Sequence, residues 1–401
     1  MTAELERGLA ALLRPGTRVA LGDGCGTPRA AHGALGRAAT GRDVGLLLGW
    51  MPVLAPELDP AAFADVRVLL GGPGARAIVE SGAAHAVPAR LSALPALLAG
   101  PLRPDLLVAT VVRRPDGWHF AAEVSYLRGL VTAGVPVAAV VSTAAPCADA
   151  GPALPDEAVT VVGETDELPA ELPVPRPTET DVRIARRVAP LVPEGARLQI
   201  GPGRLARAIV AEMRVPVRVD SGQLPDSVLD LDARGLLLGE PVATYLAGSR
   251  ALYDWADGRP ILRPVEETHD IGRLAAPGAP PLIAVNLALE MDLDGQVNVE
   301  GIGGAALGMI GGHPDFAAAG VRGPGLSVIA LPSRHATGST LVERLSRPVT
   351  TASHDVEVVV TEHGIADLRG LDRGERRRAL RGLWEGATGR RSGSPGGSIE
   401  P

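Results

Sequence analysis

Runs of β-branched and aliphatic residues alternate along the whole chain with Ala/Leu/Arg-rich stretches whose apolar positions recur at helical spacing. That alternation predicts an α/β protein with mostly parallel, open sheets. Residues 1–13 read as a short amphipathic helix carrying Glu4, Glu6 and Arg7. The longest apolar runs, 106–112 and 135–141, fall far short of the ~20 residues a membrane span needs, so no membrane association is expected. Over 281–300 the pattern has period two: Leu287, Leu289, Met291 and Leu293 share one face, and Asn286, Ala288, Glu290 and Asp292 share the other. With Asp294-Gly295 as its turn, this stretch predicts one hairpin, on which the pattern alone leaves Glu290 solvated.

The alternation breaks once. Residues 172–181 place prolines at 173, 175 and 177 and end in capping residues before a helix predicted over 182–191. Four segments follow: an N-terminal α/β domain over 1–171, a proline-rich linker over 172–181, a C-terminal α/β domain over 182–388, and a tail over 389–401 too poor in apolar residues to pack. Each domain is long enough to bury a core of its own. A unit of strand, glycine turn and helix recurs at 18–35, 66–79 and 198–210, with turns at Gly22-Asp23-Gly24-Cys25-Gly26-Thr27-Pro28, Gly72-Pro73-Gly74 and Gly201-Pro202-Gly203. Such turns serve either as ordinary βα connections or as places where helix N-terminal amides face an anion.

Composition removes several chemistries. All 39 basic side chains are arginine, so Schiff-base and pyridoxal-phosphate lysines and the P-loop ammonium are excluded. A net charge of −7 argues against a broad nucleic-acid footprint. Cys25 and Cys147 are too few for a disulfide framework or a zinc site, and no metal site is expected. Their scarcity and the absence of an export pattern at the N-terminus lead us to expect a cytoplasmic protein.

One motif competes for function by itself. Leu198-Gln199-Ile200, then Gly201-Pro202-Gly203-Arg204-Leu205-Ala206, then Asp220 after the next strand, satisfies the spacing of a dinucleotide-binding unit with its ribose-binding carboxylate. Pro202 removes one amide that would face a pyrophosphate, and no hydride-transfer residues accompany the motif. An NAD-dependent oxidoreductase is therefore a distant alternative.

Ordered blocks decide for another reading. They begin with Gly22-Asp23-Gly24 and Gly26-Thr27-Pro28 and continue through 87–92 and 117–126. After these come Ala288-Leu289-Glu290-Met291-Asp292-Leu293-Asp294-Gly295-Gln296-Val297-Asn298, Gly301-Ile302-Gly303-Gly304, Met309-Ile310-Gly311-Gly312-His313-Pro314-Asp315-Phe316, and Glu362-His363-Gly364 through Arg369-Gly370. Together they resemble the acetyl-CoA hydrolase/transferase family, which contains 4-hydroxybutyrate, butyrate and succinate CoA-transferases. The resemblance implies two tandem CoA-transferase-like domains with an acyl-CoA in the cleft between them. It also implies a small carboxylate as acceptor, a homodimer, and coenzyme A as substrate rather than a permanently bound cofactor. By the same resemblance Glu290 stands at the nucleophile's place, where attack on the thioester would give an acyl-glutamyl anhydride and then a glutamyl-CoA thioester.

Gly311, Gly312, His313, Gly364, His269, Gly24 and Gly26 become candidates for CoA or acyl contacts, with glycine-loop amides meeting the oxyanion. Arg263 and Arg369 become candidates for the CoA phosphates. The chain departs from the family pattern at Met309 and His313, at Ser142-Thr143, and over 220–231. In that last stretch the family carries a second active-site glutamate, and this chain has none. Acyl-CoA hydrolysis is the alternative activity, and a CoA-binding paralogue with impaired turnover is a further one.

Overall fold

A computed structural model describes residues 2–173, 175–336 and 338–386, so the tail expected over 389–401 lies outside the described residues. Among the described residues no helix is long and apolar enough to cross a membrane. No group of three or more His, Cys, Asp or Glu side chains there could hold a metal ion.

The N-terminal half forms an eight-stranded sheet. Its spatial order is His85–Ala86, Asp65–Val68, Gly45–Leu48, Arg18–Leu21, Leu106–Arg114, Val137–Ser142 and Val159–Thr165, all parallel, with Gly117–His119 antiparallel on Leu106–Arg114. The apolar run at 135–141 is explained by this geometry: every residue of Val137–Ser142 is buried, as a strand covered on both faces requires.

A six-stranded sheet follows, in the order Arg218–Val219, Arg197–Ile200, Leu282–Leu287, Leu326–Ala330, Val358–Val360 and Ile365–Asp367. Its pairs are parallel except the last. Strand order reverses between Arg197–Ile200 and Leu282–Leu287. In open parallel sheets the crevice beyond the carboxyl ends of such strands is where ligands bind.

Two boundaries differ from expectation. The helix predicted over 182–191 begins earlier, at Glu179–Val188, and continues as a 3-10 turn at Ala189–Leu191. Thr178 and Asp181 form a reciprocal capping box that draws the end of the expected linker into the helix. The predicted hairpin, in turn, is divided between two sheets. Leu282–Leu287 is an interior strand of the six-stranded sheet, whereas Glu290–Asp292 pairs antiparallel with Val297–Asn298 and parallel with Leu341–Val342. The Asp292 carboxylate holds the turn by accepting the Asp294 and Gln296 amides at 3.0 and 2.9 Å, where Gly295 has φ +81°.

The halves share their interior instead of keeping separate cores. One apolar cluster takes in Leu107 and Val137 from the first sheet and Val285 and Val328 from the second. A two-stranded ribbon, Gln223–Pro225 with Tyr245–Ala247, joins them. Thr244 O accepts the Val124 amide at 3.0 Å, and the Leu246 amide donates to Ala122 O at 2.8 Å. A second seam runs along Ser92, whose amide and hydroxyl both donate to the buried Asp315 carboxylate, at 3.1 and 2.6 Å.

Candidate functional site

Along that seam lies a cleft of about 400 Å³. The carboxyl ends of Arg197–Ile200 and Leu282–Leu287 supply Gly201, Pro202, Asn286 and Leu287 to its wall, at the point where strand order reverses. Trp50 and Gly71-Gly72, beyond strands of the first sheet, close the opposite side. Gly311, Gly312, His313 and Phe316 form a third wall, where the helix His313–Gly320 begins. Among the described residues the lining holds neither a carboxylate nor an arginine.

His269 belongs to the lining and is 1% exposed. Its Nδ1 is 2.9 Å from the Thr268 hydroxyl, its ring packs edge-on to Phe316, and its Nε2 is buried without a partner among the described residues. Burial, and then the Arg273 guanidinium, push its pKa down to about 3, so the ring is neutral. The glycines beside it leave its space open: a Cβ on Gly222 would sit 3.0 Å from Nε2, and one on Gly312 would press well inside van der Waals contact.

His313 also lines the cleft, but both of its nitrogens are engaged. Nδ1 is 2.6 Å from the Thr351 hydroxyl and Nε2 is 3.2 Å from the Leu287 carbonyl. A ring held at both ends orients the loop, and burial lowers its pKa to about 4.

Glu290 does not line this cleft. It is buried, at 6% exposure, which overturns the solvated hairpin position that the alternation allowed. Three donors meet on its Oε2: Asn298 Nδ2 at 2.9 Å, the Ser346 amide at 2.9 Å and the Ser346 hydroxyl at 2.8 Å. Among the described residues no donor reaches Oε1. The carboxylate thereby ties the Glu290–Asp292 strand to the segment around Ser346 and, through Asn298 and its bond to Gly301 O at 2.7 Å, to the following glycine loop.

Several other expected contacts point elsewhere. Gly24 and Gly26 face inward, because a Cβ on either would collide with the fully buried Glu123 carboxyl, and the Gly26 amide donates to Glu123 Oε2 at 2.9 Å. Burial and the neighbouring Asp23 charge push the Glu123 pKa up to about 8. Asp23 accepts the Tyr245 hydroxyl at 2.6 Å and is raised to about 6 by burial. The first glycine turn therefore cradles an internal carboxyl. Gly364 closes a turn with Thr361 and abuts Leu383, while Arg263 lies 3.8 Å from Glu267; neither lines the cleft. Arg369 is paired with Asp367 at 2.7 Å. Asp220, the carboxylate of the dinucleotide motif, is buried and held by Arg273 at 2.8 Å and Arg197 at 3.2 Å. Both arginines would have to release it before it could bind a ribose.

Sequence reasoning thus found Gly311, Gly312, His313 and His269 on the wall. It overlooked Ser221, Gly222, Gln223 and Asn286, all of which line the cleft. A signal existed for the first three, because they fall in the stretch where this chain departs from the pattern of the family it resembles and lacks a glutamate. Asn286 stood on the polar face of the alternation and was passed over in favour of Glu290.

Beside the cleft a smaller pocket of about 230 Å³ shares Gly71, Gly72 and Met309 with it, and carries Arg76 and Arg347. Arg347 Nε is buried without a partner among the described residues.

Comparison with known proteins finds that the chain is similar to enzymes of coenzyme A. Residues 248–383 match the acetyl-CoA hydrolase/transferase C-terminal domain. The chain is 29% identical over 231 residues to 4-hydroxybutyrate coenzyme A transferase of Clostridium kluyveri, spanning 52% of each protein. It is 27% identical over 340 residues to succinyl-CoA:acetate/propanoyl-CoA:succinate CoA transferase of Fasciola hepatica, covering 79% of this chain and 70% of the relative. The fold is similar to that of RipA from Yersinia pestis, with a TM-score of 0.83, 23% identity and 96% of each chain covered.

Proposed function

We propose, on the premise that this chain belongs through residues 248–383 to the acetyl-CoA hydrolase/transferase family, that it binds an acyl-CoA in the cleft and passes CoA to a small carboxylic acid. The observation that carries the reading is the cleft wall itself. It lies where strand order reverses, is rich in glycine amides and neutral polar groups, and has no acidic side chain among the described residues. An incoming carboxylate meets no like charge on such a wall.

Its oxygen attacks the thioester carbonyl: a C–O bond forms, the C–S bond breaks, and a mixed anhydride and CoA thiolate result. The thiolate then attacks the acceptor's carbonyl carbon, the C–O bond to it breaks, and the original acid leaves. No proton is consumed. The glutamyl route expected from the sequence is the covalent variant of this reading: Glu290 Oε2 is held by Asn298 and Ser346 while no donor among the described residues reaches Oε1, and the Glu290→Gln variant below separates that route from direct attack by the acceptor acid. The same uncharged wall also suits water, which makes acyl-CoA hydrolysis the second reading. Arg76 and Arg347 in the adjoining pocket supply positive charge for the CoA phosphates. A homodimer, which rests on the family resemblance, and a cytoplasmic location, which rests on the scarcity of cysteine and the N-terminal pattern, are part of this reading; light scattering tests the dimer.

The test is to incubate the protein with a short acyl-CoA and a panel of isotopically labelled acids, then identify the CoA esters by mass spectrometry. New labelled esters are expected, retained in Glu290→Gln. Thiol release without any new ester selects hydrolysis. A CoA adduct on the Glu290 peptide selects the covalent route, and failure of every acyl-CoA to bind or react overturns the proposal.

A further inference from the structure

We propose that His269 is a catalytic hydrogen-bond donor whose Nε2–H, beside the N-terminus of the helix His313–Gly320, receives the carbonyl oxygen of the bound thioester. This deepens the acyl-CoA reading and rests on it for the identity of the oxygen.

The tautomer follows from the neighbours. Pro264 O already accepts the Glu267 and Thr268 amides at 2.9 and 3.0 Å, which occupies both of its lone pairs. The Thr268 hydroxyl lies 3.3 Å from that oxygen but 2.9 Å from His269 Nδ1. We assign its single proton to the shorter contact, which leaves Nδ1 without hydrogen and puts the proton of a neutral imidazole on Nε2; the reverse arrangement, Nδ1–H donating to a hydroxyl that donates to Pro264 O, is the outcome that the nitrogen-15 measurement below would show if the assignment fails. A buried N–H without an acceptor is unfavourable, so one on the lining of a cleft points to an acceptor on the ligand.

Position supports the same role. Nε2 lies in the gap between Gly222 and Gly312, and Phe316 fixes the ring at a centroid distance of 4.9 Å. Gly312 precedes the helix, whose dipole favours negative charge at that end; Pro314 has no N–H, and the Asp315 and Phe316 amides both donate to Gly312 O at 3.1 Å, which leaves the His313 amide as the donor of the first turn. During attack the carbonyl π electrons move onto oxygen, which accepts from Nε2–H and the His313 amide. When the C–S bond breaks the carbonyl reforms. His269 keeps its proton throughout, as an imidazole held neutral by burial can.

Two measurements test this. Nitrogen-15 NMR of the histidine side chains, with His269→Gln identifying the signal, should show a protonated Nε2 and an unprotonated Nδ1 near neutral pH. The opposite tautomer or an imidazolium overturns the proposal whether or not the protein turns over acyl-CoA. In the exchange assay, His269→Ala should lower kcat about 10²–10³-fold with KM for acyl-CoA little changed, and His269→Gln, which keeps an N–H donor, should recover part of it. Unchanged kcat in a folded His269→Ala, or a loss confined to KM, overturns it. A correct tautomer in a protein that binds no acyl-CoA would instead sink the functional reading and, with it, the assignment of the thioester oxygen.

Discussion

Replacing Glu123 by Gln should remove much of the protein's loss of stability at alkaline pH. The carboxyl is wholly enclosed, wedged against Gly24 and Gly26, with one amide donor at 2.9 Å to set against its desolvation and the charge on Asp23. Its pKa rises from 4.5 to about 8. For an acid raised in this way, the folded state keeps a proton that the unfolded chain has already released. Stability therefore falls as pH rises from the unfolded value to the folded one, by ~1.4 kcal/mol per unit, and the loss is complete above about 8. Over the whole window this amounts to at most roughly 5 kcal/mol.

Asp23, raised to about 6, adds a slope of its own that is spent once pH exceeds that value. The interval between about 6 and 8 therefore separates Glu123 from Asp23, and the slopes of the buried histidines, common to both proteins, cancel in the comparison of variant with wild type. Glutamine keeps the acceptor for the Gly26 amide and leaves an unpaired NH2, which costs about 1–3 kcal/mol at every pH. Urea denaturation, followed by the fluorescence of Trp50 against Tyr245, should show a flatter pH dependence for Glu123→Gln over that interval. It should also show the variant gaining on the wild type by at least ~1 kcal/mol across it. Parallel stability curves for the two proteins between those pH values would refute the reasoning.

Other substitutions read other parts of the structure. Asp220→Ala leaves Arg197 and Arg273 facing an empty buried position, and should cost about 3–5 kcal/mol in a denaturant titration. Glu290→Ala strips the shared acceptor from Asn298 and Ser346, with an expected loss of about 1–3 kcal/mol by the same method. Gly312→Ala drives a methyl group into His269 Nε2, so acyl-CoA binding measured by calorimetry should weaken at least ~10-fold while the fold persists. Arg347→Ala should weaken binding of acyl-CoA but not of an acyl-pantetheine lacking the nucleotide phosphates, and the difference should shrink with added salt.

The α/β class and the alternation of elements were legible because parallel strands and their covering helices impose their periods on local sequence. Capping chemistry was less so: Thr178 and Asp181 formed a visible pair, yet the prolines before them suggested a longer linker than the helix allows. The two-residue period over 281–300 was real, but a pleat pattern does not say which partner each segment takes. The chain changes sheets at Ala288-Leu289, and so Asn286 and Glu290, neighbours on one predicted face, separate into cleft wall and buried anchor. Glycine motifs were ambiguous for a related reason. Close approach demands Gly whether the approaching group is a ligand or an internal side chain, and at Gly24 and Gly26 it is Glu123.

The ribbon at 223–247 carries Tyr245 from the second half of the chain to Asp23 in the first. A ribosome that has made only residues 1–171 has supplied Asp23 with the Trp50 amide and the Ser125 hydroxyl but not with its Tyr245 donor, which follows more than seventy residues later. Formation of the cleft wall and completion of the hydrogen bonds to the N-terminal acidic pair are then coupled, late events of synthesis.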